Sequence, residues 1–365
     1  MTVTWLAQKC LLIVHYHPAN NMNSMNGFSW TDFEMLRRTP LATMGIFTSS
    51  YCPVGCAHCA VSASSDSLAP SPDLLMRGVE EMVQVSELKA VAITGGEPFA
   101  EFELLESLVD TMHKANKRVV IYTSGYWGKS DVLQQVSPVL QFADGLVLGI
   151  DLYHRAHIPA EDLINALRTA KEFEVWVTAQ VISGIDGEAH LAYARQLFQN
   201  AFGPEWHQDA HIIEMPPLPS GRAEHIDSFN QFNGSYAERC YSVNGPTLLR
   251  DGTLAACCNE DIVLHNGPDA LKIPHQGGFS QSLEKLESQP TLGHLRRTPP
   301  AALASLAAQC LDSTDYDQSV RMCQACWDFV EAYSQMDDSQ LERFDEMVNL
   351  YHQIQNSPLE LVSDV

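Results

Sequence analysis

The chain has 365 residues, 45% of them hydrophobic, enough for one large domain with an extension or for two domains. Its formal charge of −23 repels phosphate backbones, which disfavours nucleic acid as a partner; an acidic surface serves solubility or a cationic substrate. No apolar run approaches the length of a membrane span, and Cys10-Leu11-Leu12-Ile13-Val14, flanked by Lys9 and His15, is too short for a secretory signal.

Residues 1–42 read as a mixed N-terminal segment. A short apolar stretch leads into an Asn-, Ser- and Gly-rich loop over 20–27, and the segment is expected to form a strand or a cap. From Thr43 the pattern becomes regular. Apolar runs at 44–47, 90–93, 119–122, 146–150, 175–178 and 211–213 alternate with helix-like stretches near 73–86, 101–115, 130–142, 160–173 and 187–200. Short apolar runs separated by helices of this length predict βα units around a parallel sheet. Six such units fit a partial (β/α)6 TIM-like barrel and equally a doubly wound sheet; in both, function gathers at the carboxyl ends of the strands. A Pro- and Gly-rich linker follows at 215–223. Phe344, Met347, Val348 and Tyr351, spaced i, i+3, i+4 and i+7, predict a C-terminal helix over 331–354.

Two motifs sit just after the first two runs. Cys52, Cys56 and Cys59 form a C-x3-C-x2-C set, and Thr94-Gly95-Gly96-Glu97-Pro98 closes the run at 90–93. Three close thiolates can hold three irons of a [4Fe-4S] cluster and leave the fourth iron open to a small molecule. Zinc is the alternative, but it usually closes a tetrahedron with paired C-x2-C units, and no fourth ligand is apparent nearby. Together the motifs resemble the radical S-adenosylmethionine (SAM) superfamily over about residues 43–330. There, C-x3-C-x-φ-C carries the cluster, with His58 in the φ place, and a GGE turn after the second strand binds the SAM methionine amino group. The resemblance therefore implies SAM at Gly95, Gly96, Glu97 and Pro98, with Glu97 either touching SAM or ordering the loop. It also offers Ser124, in a turn like the family's TNG, together with Asp151 and Gln180 at later strand ends; Asp151 would accept a ribose hydroxyl. His154 is either a proton carrier beside the substrate or a satisfied loop histidine.

A second cysteine set lies downstream. Cys240, the Asp251-Gly252 hairpin turn, Cys257, and Cys323-x2-Cys326 resemble the twitch domain, the shortened SPASM extension. That likeness implies one auxiliary [4Fe-4S] cluster on Cys240, Cys257, Cys323 and Cys326; a four-cysteine zinc knuckle is the alternative. Cys258 and Cys310 are left over, either as buried inert thiols or as a hydrogen-atom donor to a substrate radical. The expected organisation is an N-terminal segment (1–42), a radical SAM partial barrel (43–223), a small α+β twitch domain (224–330) and a terminal helix (331–365). Iron–sulfur clusters and free thiols require a reducing compartment, so the cytoplasm is expected, with flavodoxin or ferredoxin as reductant.

The implied reaction is cleavage of SAM to a 5′-deoxyadenosyl radical that abstracts hydrogen from an unactivated C–H bond. Three outcomes are open: oxidative cross-linking or epimerisation of a ribosomally made peptide, dehydrogenation of an aminocyclitol or sugar alcohol, and an iron–sulfur regulator or scaffold that has lost catalysis. Oxidative cross-linking is the leading expectation, because a fully ligated auxiliary cluster suits removal of an electron.

Overall fold

The computed structural model describes residues 27–184, 186–230, 238–275, 277–312 and 321–356. It forms two compact units: Met1–Phe232 with Tyr241–Ser288, and Asn233–Cys240 with Gln289–Val365.

The first unit carries β1 (Thr43–Phe47), β2 (Ala90–Thr94), β3 (Arg118–Thr123), β4 (Gly145–Gly149), β5 (Trp176–Ile182) and β6 (Ala210–Met215). Each is parallel to its neighbours in the order β6-β5-β4-β3-β2-β1. The order never reverses, so there is no switch point of the kind a doubly wound sheet requires. The sheet is the parallel wall of a partial barrel. The connecting helices are amphipathic at helical spacing: Phe102–Lys114 buries Leu105, Leu108, Val109 and Met112. Each such side chain contributes about 1.5–3 kcal/mol on burial.

The helix expected over 130–142 is instead two four-residue helices, Ser130–Leu133 and Ser137–Leu140. Pro138 cannot continue a helix already under way, because it lacks the N–H and its ring clashes with the preceding turn. It starts a new helix instead.

Among the described residues the N-terminal segment contributes a helix, Trp30–Arg37, rather than a strand. Ser29 and Asp32 bond each other's backbone N–H reciprocally and fix its start. Phe28, Trp30 and Phe33 pack on Ala90, Val120, Val147, Trp176 and Ile213, one residue from each of β2 to β6. This is the expected cap. The 20–27 loop lies, except for Gly27, outside the described residues, as does the apolar run at 10–14.

Beyond β6 the sheet continues in the same unit. β7 (Thr247–Leu249) pairs parallel with β1, and β8 (Leu254–Ala255) and β9 (Lys272–Ile273) follow antiparallel. The Asp251-Gly252 hairpin forms as expected, with Gly252 at φ 82. The expected boundary at 223/224 therefore differs from the compact units: hydrogen bonds to β1 hold β7 to β9 in the barrel's own sheet. A buried ion pair reinforces this junction. Arg250, just after β7, bonds Glu101 at 2.6 Å and the Thr48 carbonyl at 3.0 Å, while Ser49 donates to the same Glu101 carboxylate.

The second unit is helical: Pro290–Leu295, Pro300–Cys310, Met322–Gln335 and Asp338–Asn356. The helix expected at 331–354 divides at Met336. Asp337 and Gln340 bond each other's backbone N–H at 2.9 and 3.0 Å and start the last helix afresh. Phe344 and Val348 are buried as the spacing predicts, and Phe344 stacks on Phe329 at 5.6 Å. No helix of the described residues is long and apolar enough to cross a membrane.

Candidate active site

Cys52, Cys56 and Cys59 occupy the loop that follows β1. The loop folds back on itself: Ser64 receives the Cys52 N–H at 3.0 Å, and Ser50 receives that of Ser64 at 3.1 Å. Arg222, in the Gly-Arg-Ala turn after β6, straps the same loop. It donates to the carbonyls of Cys56 at 2.9 Å and Ala63 at 2.7 Å, and its backbone N–H reaches Cys59 at 3.1 Å. Gly221 sits at φ 56, and a Cβ there would lie 2.5 Å from the Ala60 carbonyl, so only glycine allows this approach.

The GGE turn backs directly onto the cysteine loop. Gly96 donates to the Ser49 carbonyl at 2.6 Å and Glu97 to that of Tyr51 at 2.9 Å. A Cβ on Gly96 would lie 2.2 Å from the Tyr51 oxygen, and Gly95 holds φ 147. The two motifs are therefore one packed element, although about forty residues separate them in the chain.

These segments line a cavity of about 300 Å3. Of the residues expected from sequence, Cys52, Cys56, His58, Cys59, Gly95, Gly96, Ser124, His154, Gln180 and Cys258 lie on its wall. Glu97, Pro98 and Asp151 do not. Glu97 is buried with both carboxylate oxygens occupied, by Thr123 Oγ1 at 2.7 Å and the Phe99 N–H at 3.2 Å on one side, and by Ser124 on the other. Burial raises its pKa although these donors oppose it. Such a carboxylate orders the ends of β2 and β3, the second of the two roles expected of it.

Asp151 is likewise enclosed. One oxygen accepts the N–H groups of Tyr153 and His154, both at 2.9 Å; the other meets His154 Nδ1 at 2.9 Å and His58 Nε2 at 3.4 Å. Its oxygens are spent on the protein, which differs from the expected ribose contact. Burial acts to raise its pKa, but the His154 and His58 partners hold it well below the ordinary carboxylate range. Burial also opposes charge on His154, yet Asp151 and Cys56 raise its pKa well above the ordinary histidine value. Burial lowers His58 to about 4. Burial likewise pushes the Cys52 thiol up to about 11, a proton that binding of a metal must displace.

Sequence reasoning missed two wall residues. Arg222 presents a buried Nη2 with no hydrogen-bond partner. Glu260 follows Cys258 by two residues, at the start of a short helix capped by Asn259, which also donates to its carboxylate at 3.1 Å. Burial, with the neighbouring Asp261 charge, pushes the Glu260 carboxyl up to about 6. The Gly-Arg-Ala string could have pointed to the first, and the Cys-Cys-Asn-Glu string to the second.

Cys310 is not in this cavity. It is buried in the helical unit, 3.6 Å from the Met347 sulfur. Of the second cysteine set, Cys240, Cys323 and Cys326 belong to the helical unit and Cys257 to the barrel unit. Burial first, then the charges of Cys240 and Cys323, raises Cys326 well above the ordinary thiol value.

The cavity unites three thiols, a tight glycine turn and an unpartnered guanidinium nitrogen at the carboxyl ends of parallel strands. Residues 46–190 match the family model of the Radical SAM superfamily. That stretch, which holds the three cysteines and the GGE turn, is therefore similar to radical SAM enzymes, a family whose members bind SAM and a [4Fe-4S] cluster. The chain is also similar to YydG of Bacillus subtilis (strain 168), named for a role in peptide biosynthesis: 22% identity over 272 residues, covering 70% of this chain and 80% of that protein. Among solved structures, Streptococcus suis SuiB bound to S-adenosylmethionine matches 73% of this chain and 68% of its own at 14% identity and TM-score 0.46. BtrN in complex with AdoMet and 2-DOIA matches 70% and 86% at 12% identity and TM-score 0.42.

The cavity fits both implied groups. Three sulfurs suit three irons, and the GGE turn and Arg222 Nη2 offer polar contacts for SAM.

Proposed function

We propose that this enzyme modifies a ribosomally made peptide by radical chemistry and that its reaction is epimerisation, with Cys258 returning the hydrogen. The likeness to YydG supports a peptide substrate. The observation that carries the reaction type is Cys258, an exposed residue on the wall of the cavity that holds Cys52, Cys56 and Cys59. Oxidative cross-linking, the leading expectation from sequence, needs no thiol there, because its substrate radical gives up an electron.

Cys52, Cys56 and Cys59 would hold the cluster, and Gly95, Gly96, Ser124, Gln180 and Arg222 would surround SAM. The cluster and SAM, once bound, would supply the radical that removes a hydrogen atom from the substrate. The chain's own part begins with the carbon radical left behind. Cys258 gives its S–H hydrogen to the opposite face of that carbon. The C–H bond forms, the S–H bond breaks, and a sulfur-centred radical remains. One proton and one electron from a low-potential iron–sulfur or flavin reductant restore the thiol. Glu260, on the same wall, offers an acceptor for a substrate N–H or cationic group. Cys240, Cys257, Cys323 and Cys326 are the ligand set proposed for the auxiliary cluster.

The test is product mass. Reconstituted, reduced enzyme is given SAM and any short peptide found encoded beside its gene, in ordinary and in deuterated water. The product should keep its mass in ordinary water and gain one deuterium in deuterated water. Cys258→Ala should abolish that gain, and Cys310→Ala should not. A product lacking two hydrogens would replace this reading with cross-linking or dehydrogenation.

A further inference from the structure

Two histidines and a cysteine meet on the cavity wall in a way that the hydrogen transfer just described does not use. Cys56, His58 and His154 each bring one ligand atom to within 4.8 Å of the other two. Among the described residues, the compact donor set around Cys56 is thus made of imidazoles and does not include Cys52 or Cys59. Asp151 stands behind both rings. Its Oδ2 meets His154 Nδ1 at 2.9 Å and His58 Nε2 at 3.4 Å, and the backbone N–H groups of Tyr153 and His154 fix its other oxygen. Each ring that spends one nitrogen on this carboxylate keeps the second for a ligand. His58 Nδ1 is buried and has no hydrogen-bond partner. Metal-bound histidines are held in this manner, with a carboxylate on the far nitrogen. The rings are also seated: His58 stacks on Tyr153 with centroids 4.8 Å apart, and a Cβ on Gly149, the last residue of β4, would come within 2.5 Å of the His154 ring.

From this constellation we infer that Cys56, His58 and His154, aimed by Asp151, form a zinc site, and that zinc there excludes the iron–sulfur cluster by occupying Cys56. A cubane spreads its thiolates over separate irons, whereas a single cation needs donors grouped as tightly as these. Zinc takes sulfur at about 2.3 Å and imidazole nitrogen at about 2.0–2.1 Å, which sets tetrahedral ligands roughly 3.5 Å apart, so shifts of about 1 Å close the set. Zinc ligation displaces the protons of the thiol and the rings. All three ligands lie on the cavity wall, which leaves the fourth position of the metal open to water or a small molecule. Zinc binding stands apart from the radical SAM reading; the exclusion of the cluster rests on it.

The experiment titrates zinc into the full-length chain, iron-free and reduced, against a chromophoric chelator. Cys56→Ala should bind one zinc fewer than native protein, which separates this site from any zinc on the downstream cysteines. His58→Phe and His154→Phe should each weaken that zinc at least about tenfold, and Asp151→Asn about tenfold. Cys52→Ala should leave it unchanged. Zinc that is lost in Cys52→Ala but native in His154→Phe belongs to the thiols alone and would overturn the inference, as would native zinc content in Cys56→Ala. If the phenylalanine variants fail to fold, Asp151→Asn decides: weakened zinc supports the site and native affinity overturns it. Native protein loaded with zinc and then given iron and sulfide should take up about four irons fewer than zinc-free protein, and His154→Phe should show no such deficit. Equal uptake by native protein, or the same deficit in His154→Phe, would overturn the exclusion. Failure of the radical SAM reading looks different, because zinc-free native protein would then form no SAM-responsive cluster.

Discussion

The three cysteines and the glycine pair owe their legibility to the sequence to one fact: ligand spacing and turn chemistry are local. His58, the φ residue of the cysteine motif, and Ser124 and Gln180, polar residues at strand ends, are legible for the same reason, and all three lie on the cavity wall. Asp151 and Glu97 stand at strand ends too, but what their oxygens meet includes residues 26 and 27 positions away for Glu97 and the distant His58 for Asp151, and no periodicity records it. Glu260 escaped notice for a related reason, since its burial belongs to the assembled cavity. It carries a measurable consequence. Its carboxyl titrates near 6 in the folded chain against 4.5 as the ordinary value. Between those limits the folded state holds the extra proton, so stability falls as pH rises through the window. Above it the charged carboxylate costs at most about 2 kcal/mol. Glu260→Gln should therefore be more stable than native protein by up to that amount near pH 8, with the difference gone below about pH 4.5. Urea unfolding at the two pH values measures it, and equal stability near pH 8 would contradict the assignment.

At the scale of elements, all six parallel strands match the apolar runs to within a few residues, because burial on both faces writes a continuous hydrophobic signature. Ends and breaks were harder. Pro138 and the Asp337–Gln340 pair each divide a stretch whose hydrophobic spacing continues unbroken, since that spacing reports faces and not caps. The helix Met322–Gln335 carries Cys323 and Cys326 in its first turns, in the same compact unit as Cys240. If these hold the proposed auxiliary cluster, native protein should contain about eight irons per chain. The Cys52/Cys56/Cys59→Ala triple variant should retain about four, since each cubane carries four. Elemental analysis distinguishes this from the knuckle, for which one zinc would accompany about four irons in native protein.

Across the whole molecule, the sequence implied a barrel followed by a separate cysteine-rich domain. The strand order confirms a partial barrel, while β7 to β9 extend its sheet instead of standing apart. That junction depends on the β1–β7 pairing and on Arg250 meeting Glu101, contacts about 150 to 200 residues apart that local pattern cannot disclose. The consequence is functional. The loop bearing Cys257, Cys258 and Glu260 follows β8, and this extension of the sheet brings Cys258 and Glu260 to the wall of the cavity. The central claim is that Cys52, Cys56 and Cys59 support radical cleavage of SAM in that cavity. Reduced, reconstituted native protein incubated with SAM should release 5′-deoxyadenosine, measured by chromatography, and the triple alanine variant should release none. Release at the native rate by the triple variant would contradict the account.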